Sequence, residues 1–255
     1  MELENLINYS NFIKSNQNLI NNLKNSDYSK NSIINYFNRN LPNYFNPKSD
    51  NYRKFQKLKD QIIILIFIGR YRGINDHITS SRLWSMLMRK YLGKIFHHYL
   101  LFDNKAYRKN FFILSLGKLG VSDLNYSSDI DLIIFFKSNN NITFQSFNKS
   151  IKNILSNISN VSVSYFHKID LRLRPDFGTD SIISDIDSSI EYYSSVGRNW
   201  ERLAFHRSSF LSGNYSLFLE FKLSIHNFLY RKSFDFYAID EIKKLFSFSK
   251  ITNSS

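Results

Sequence analysis

The chain has 255 residues, with 34 lysines and arginines against 21 aspartates and glutamates, a formal net charge of +13 and no cysteine. That length allows one large domain or two small ones with a proper core, and the lack of cysteine excludes disulfides and thiolate metal sites. The longest apolar run, Ile62–Ile68, falls far below the ~20 residues of a membrane-spanning helix. The opening Met1-Glu2-Leu3-Glu4-Asn5 has neither the basic nor the apolar region of a signal peptide, so the cytoplasm is the expected location and no membrane contact is expected.

In chain order, helical-length apolar patterns at Glu2–Lys24, Lys30–Asn38, Tyr52–Ile68 and Ser80–Leu101 predict a helical region over 1–105, with Leu41-Pro42-Asn43 as a break. A mixed core is predicted over 106–213. It opens on the apolar strand Phe111–Leu116, which runs into a turn punctuated by Gly117 and Gly120 in a chain with only 8 glycines. Asp129-Ile130-Asp131 then enters the continuously apolar Leu132–Phe136, read as a buried strand. A helix over Asn148–Ile158 follows the polar loop Lys137–Asn141, and Tyr165–Pro175 reads as a further strand. From Asp187 the pattern returns to helix, interrupted by a short strand at Ser208–Ser212 and the turn Gly213-Asn214. Residues 214–255 read as a closing helical segment with a frayed tail. The fold class is therefore α+β.

The chemistry concentrates at the mouth of the second strand. Strand side chains alternate faces, so Asp129 and Asp131 project from one side. Two like charges that close repel, and apolar neighbours raise the cost further. A divalent cation with hard oxygen ligands, Mg²⁺ above all, is the natural guest. Alternation in Ile169–Arg174 puts Asp170, Arg172 and Arg174 on one face, a third acid flanked by two arginines suited to metal and phosphate. Gly117 and Gly120 allow close backbone approach to a phosphate. The bland alternatives are solvated strand-edge carboxylates and arginines in surface ion pairs.

Gly117-Lys118-Leu119-Gly120, Leu124–Ile133 and Asp170-Leu171-Arg172-Leu173-Arg174-Pro175 together resemble the glutamine synthetase adenylyltransferase/adenylyl-removing enzyme family. The likeness extends through Tyr192-Tyr193, Gly197–Arg202 and Tyr230–Phe236, and so covers roughly residues 55–245. It implies a polymerase β-like nucleotidyltransferase core, a mixed sheet with flanking helices. Family members carry two such halves, one attaching AMP from ATP to a tyrosine of glutamine synthetase and the other removing it with inorganic phosphate to give ADP. The Tyr-Tyr and Gly-Arg-Asn-Trp-Glu-Arg variant resembles the amino-terminal, removing half.

By this resemblance Asp129, Asp131 and Asp170 are the catalytic and metal residues, holding one or two Mg²⁺. Gly117, Lys118, Gly120, Ser127, Ser128, Arg172 and Arg174 are the nucleotide and phosphate contacts. Glutamine synthetase is the implied partner, with a PII-type regulator acting through the part of the family protein that this chain lacks. The chain departs from the family at Val121, where a glycine is usual and a stiff residue disfavours positive φ, and at Asp123 for glutamate. Two other functions remain open, a catalytically incomplete remnant that binds nucleotide or partner, and an RNA-directed nucleotidyltransferase. The net charge favours neither: it is spread along a chain rich in Asn, Ile and Lys, which reads as compositional bias before a nucleic-acid surface. Trp200-Glu201-Arg202 reads as packing plus a helix cap or ion pair. His97, His98 and His206 lack metal-ligand spacing and read as structural or exposed.

Overall fold

The computed structural model describes residues 27–41, 51–126, 128–139, 142–160, 168–175 and 180–230. The predicted helix Glu2–Lys24 and the tail beyond residue 230 lie outside them. Helix α1 (Lys30–Asn40) begins where the Ser29 side chain accepts the Ser32 N–H, and it buries Ile33 and Phe37, four residues apart on one face. Helix α2 (Asn51–Tyr71) follows. Helix α3 (His77–Asp103) is N-capped by Asp76, whose Oδ1 accepts the Thr79 N–H at 2.6 Å. A 3₁₀ turn (Lys105–Lys109) leads into the fully buried strand β1 (Phe111–Ser115) and then a single helical turn, α4 (Gly117–Gly120). After these come β2 (Ile130–Phe136), α5 (Phe144–Asn160), β3 (Ile169–Asp170), β4 (Ser184–Asp185), α6 (Ile186–Ser195), α7 (Asn199–His206), β5 (Ser209–Gly213), α8 (Tyr215–Ser224) and α9 (His226–Leu229).

The sheet is mixed, and β1 lies antiparallel between β2 and β5. Both short strands pair in parallel with the same edge of β2: β3 at its start, through Ile130↔Ile169 and Asp131↔Asp170, and β4 at its end, through Phe135↔Ser184 and Phe136↔Asp185. The pairing of β5 skips Leu211, a bulge opposite Ile113 and Leu114. This is the α+β architecture that the sequence pattern implies, with helices on both sides of a mixed sheet.

Period-two alternation sorts the strand residues between two apolar clusters. Ile113, Leu132, Ile134 and Phe136 face α1, α2, α3 and α5. Phe112, Leu114, Ile133 and Phe135 face α6, α7, α8 and α9. Side chains of this size are each worth about 1.5–3 kcal/mol when buried. Asp131 shares its parity with Ile133 and Phe135, so the same alternation that builds the second cluster delivers this carboxylate to its open end.

Two strand and helix expectations change. Helix α5 starts at Phe144 rather than Asn148, because Thr143 Oγ1 accepts the Ser146 N–H at 3.2 Å and starts the helix a turn earlier. Among the described residues the strand expected over 165–175 is only Ile169–Asp170, since the chain turns immediately after it.

The corner between α6 and α7 contains the Gly-Arg-Asn-Trp-Glu-Arg stretch, and the cap expected there is present. Buried Glu201 reaches back to accept the Arg198 N–H at 2.7 Å and the Tyr192 hydroxyl at 3.0 Å. Buried Arg202 donates from Nε to the Phe228 carbonyl at 2.7 Å and lies over the Phe228 ring. Glu201→Ala is expected to destabilise the fold by about 2 kcal/mol, because two donors lose their acceptor inside the protein. Glu201→Gln, which keeps an acceptor oxygen, should cost less. Urea denaturation of both variants checks the order, and equal losses would contradict the hydrogen-bond account.

Candidate active site

Helix α3 and strand β2 together fix the glycine turn. The Leu116 N–H donates to the Asp131 carbonyl at 2.9 Å, which ties the turn's entry to the start of β2. From α3, Arg89 donates to the Leu119 carbonyl at 2.9 Å and to Ser122 Oγ at 2.8 Å. Ser81 Oγ lies 3.2 Å from both Asp123 Oδ1 and the Leu124 carbonyl, and Ser85 Oγ accepts the Leu124 N–H at 2.8 Å. Ser81, Ser85 and Arg89 are absent from the sequence reading of the site. Their signal was available as polar residues at i, i+4 and i+8 along the buried face of a helix.

Within the turn, Gly117 has φ +54, and a Cβ built there would stand 2.3 Å from Asp131 Oδ2. The Asp131 carboxylate therefore rests on the bare glycine, in space that any other residue would fill. A Cβ on Gly120 would meet the Arg207 carbonyl at 2.0 Å and the Ser115 carbonyl at 2.8 Å, so the turn is pressed against the chain entering β5. After Gly117 the next positive φ of this region lies at Ser122 (φ 64), whereas Val121 has an ordinary φ of −95. Valine at 121 thus carries no left-handed strain, which corrects the concern raised by its difference from the family.

The three acids lie at one end of the β2–β3 pair. Asp131 and Asp170 are partners in the parallel register, and exposed Asp129 precedes β2 by one residue. Burial pushes the Asp131 carboxyl above the usual 3.8, and the charges of Asp170 and Asp129 push it further, against relief from Arg172 and Lys118. Asp170 is held below 3.8, chiefly by the side-chain hydrogen bonds of Arg172. Only 8 % of Asp170 is exposed; its carboxylate accepts Arg172 Nε at 3.0 and 2.9 Å on its two oxygens, a further bond from Arg172 Nη2, and the Arg172 backbone N–H at 2.8 Å.

Those bonds show why the strand-face reading of Asp170, Arg172 and Arg174 is corrected. Asp170 caps its own turn two residues on, so Arg172 folds back over it and the alternation stops. Arg174 donates instead to the Leu171 carbonyl at 2.8 Å and the Ser181 carbonyl at 2.9 Å, joining these two backbone positions. Lys118 is exposed and bears electrostatically on Asp131. Ser128 Oγ donates to Asn125 Oδ1, and Ser127 lies outside the described residues.

Three neighbouring carboxylates are the donor chemistry of a hard divalent cation, and the fit rests on the register that sets Asp131 beside Asp170, with Asp129 just before β2. Among the described residues no three carboxylate or imidazole side chains already converge on one metal position. The guanidinium of Arg172 takes the cation's role at Asp170. Arg172→Gln is expected to raise the Asp170 pKa toward 3.8. A carboxyl with a depressed folded pKa supports the fold above its unfolded value and loses that support as pH falls through the folded one. The variant should therefore lose stability relative to the parent near neutral pH, and the difference should shrink on acidification below about 4. Carboxyl NMR titration of Asp170 checks the shift directly.

A sequence profile of the glutamate-ammonia ligase adenylyltransferase family matches residues 78–223, which contain the glycine turn and all three aspartates. A bifunctional glutamine synthetase adenylyltransferase/adenylyl-removing enzyme of Psychromonas ingrahamii is 36% identical over 154 residues, 56% of this chain and 16% of that protein. Enzymes of the same description from Rhizobium meliloti strain 1021 and Bradyrhizobium sp. strain ORS 278 are 34% identical over 142 residues and 33% over 138. Those matches cover 52% and 51% of this chain and 14% of each relative. The chain thus matches only a small part of the length of these curated relatives. Because the profile covers more than half of the chain, with the aspartates and the turn that cradles Asp131 inside it, the chain belongs to the glutamate-ammonia ligase adenylyltransferase family.

Proposed function

We propose that this chain is a Mg²⁺-dependent nucleotidyltransferase acting on the adenylylated tyrosine of glutamine synthetase, with phosphorolytic removal of AMP as its direction. The observation that carries the reading is the Asp131–Asp170 pair, side by side in register with Asp131 resting on Gly117. The direction rests on the resemblance of Tyr192-Tyr193 and Gly197–Arg202 to the amino-terminal half of the family enzymes. A cytoplasmic location and a PII-type regulator acting through other parts of the family protein complete the proposal.

Asp129, Asp131 and Asp170 would hold one or two Mg²⁺, which when bound supply charge neutralisation at phosphoryl oxygens. In removal, an oxygen of inorganic phosphate attacks the AMP phosphorus and the bond to the tyrosine oxygen breaks. The tyrosine oxygen takes up a proton, and ADP leaves. Phosphate is already a competent nucleophile, so the protein's part is positioning and charge. The bare faces of Gly117 and Gly120 are taken up by the Asp131 carboxylate and by the chain entering β5, so phosphate would meet the outer side of the Gly117–Gly120 turn, where Lys118 would bring an ammonium to it. Ser127 and Ser128 would donate hydroxyl hydrogen bonds. Arg172, released from Asp170, suits a bidentate phosphate contact. Arg174 would act by joining the Leu171 and Ser181 backbones beside the acid cluster, near enough to the phosphate for the contact that the resemblance implies.

A second reading, a domain that binds nucleotide or partner without turnover, is favoured by one observation: Arg172 already satisfies Asp170. The deciding experiment mixes the chain with adenylylated glutamine synthetase, inorganic phosphate and Mg²⁺ and follows loss of the AMP mass from the substrate. Release that requires both Mg²⁺ and phosphate and vanishes in Asp129→Asn/Asp131→Asn is the expected result. No release from a folded chain would leave the binding reading in its place.

A further inference from the structure

On the far side of β5 from the acids, the surface changes sign. Two cavities, of about 580 and about 630 Å³, share His97 and Gly213 and run between α3 and the edge strand β5. The first is lined by His97, Arg108 and Lys109, the second by Arg89, Lys90, Lys94 and both histidines, and neither has a carboxylate in its wall. Among the described residues none of Lys90, Lys94, Arg108 or Lys109 has an ion-pair partner. Apolar and aromatic surface from Phe111, Phe210 and Tyr215 lies within the same walls.

The geometry points to a second binding site here, for a small molecule bearing two or more phosphate groups. Like charges gathered in a groove without counter-charge raise the local concentration of anions, and the low-dielectric walls focus that field. Burial lowers the His97 and His98 pKa values, and the positive charges of Lys94 and, for His97, Arg108 lower them further. A phosphoanion would relieve that repulsion. The cavity volumes are those of small-molecule sites, which favours a compact polyphosphate over a long strand. This site is separate from the acid cluster, and Arg89 lines the groove while also holding Leu119 and Ser122 of the glycine turn.

Inorganic tripolyphosphate, added without divalent metal to the full chain, is the probe. The histidine imidazole signals are followed by NMR and the affinity by calorimetry. Saturable binding that moves the His97 and His98 signals is expected, and Lys90→Glu/Lys109→Glu, two exposed positions, should weaken it about tenfold. Arg108→Glu provides an independent groove variant, and circular dichroism confirms that each variant is folded. Lys152→Glu/Lys222→Glu, the same charge change on α5 and α8, should leave affinity near the parent value. Equal weakening by the groove and control pairs, or a stationary His97 signal, would reduce the effect to net charge and overturn the site. Capture of single-stranded RNA by the same residues without a tripolyphosphate response would overturn the small-molecule assignment in favour of a nucleic-acid strand.

Discussion

Asp131→Asn is expected to give a protein that is more stable than its parent at neutral pH and inactive in AMP removal. The two effects have one origin. Asp131 is pushed above 3.8 by burial and by the neighbouring acids, so the fold favours its protonated form. For a carboxyl of this kind the stabilising contribution is present below the unfolded pKa and is lost as pH rises through the folded one. At pH 7 the ionised group is a liability, and the neutral amide removes it. The gain over the parent should shrink as the pH falls below about 4. Activity should drop at least about a hundredfold, the scale on which loss of one group stabilising transition-state charge is felt.

Thermal melts with and without Mg²⁺ test the argument without any substrate. Mg²⁺ should raise the parent's Tm, since binding to the folded state alone stabilises it, and should raise that of Asp131→Asn much less. A variant that melts below the parent at neutral pH, or responds to Mg²⁺ as fully, would contradict the assignment. Asp170→Asn should behave oppositely in stability, because Asp170 is held down by Arg172 and supports the fold when ionised.

The second large effect is expected at Gly120. A methyl group there would lie 2.0 Å from the Arg207 carbonyl and 2.8 Å from that of Ser115. Both obstacles are backbone, one entering β5 and one at the end of β1, so relief requires two strands to part. Gly120→Ala is expected to cost about 3 kcal/mol or more, the upper end of what overpacking does. Gly117→Ala differs in kind. Its positive φ adds about 1–2 kcal/mol of left-handed strain, and its steric obstacle is only the tip of a side chain, Asp131 Oδ2, which rotates aside at the expense of its place in the acid cluster. Urea denaturation separates them: Gly120→Ala should unfold at clearly lower denaturant than Gly117→Ala, whereas the latter should lose Mg²⁺ response out of proportion to its stability.

Much of this arrangement was legible in the chain itself. Continuous apolar runs marked β1 and β2, the paired aspartates marked the mouth of β2, and the glycines marked a tight turn, read as open to phosphate, on which the structure sets the Asp131 carboxylate. What was not legible depended on hydrogen bonds between residues that pattern rules treat independently. Leu171-Arg172-Leu173-Arg174 alternates as a strand would, yet Asp170 captures the Arg172 N–H and guanidinium and ends the strand. Ser81, Ser85 and Arg89 do recur at helical spacing, but periodicity does not name their partners in the glycine turn, which lie about 30–40 residues away.

The acid cluster joins strands of very unequal length. Asp131 immediately precedes a five-residue ladder with β1 and accepts the Leu116 N–H, whereas Asp170 is attached through a two-residue ladder and the bond from the Ile130 N–H to the Lys168 carbonyl. Local opening follows the number of such cross-links. The Asp170 segment can therefore separate from β2 while the central strands stay closed, and the complete acid set has a shorter lifetime than the sheet that carries it. Amide exchange should show this as a fast site at Ile130 beside slow sites at Ile133 and Phe135, whose N–H groups alternate toward β1. An ion shared by Asp131 and Asp170 would act as a tether across that weak seam, slowing exchange at Ile130 while leaving the middle of β2 unchanged.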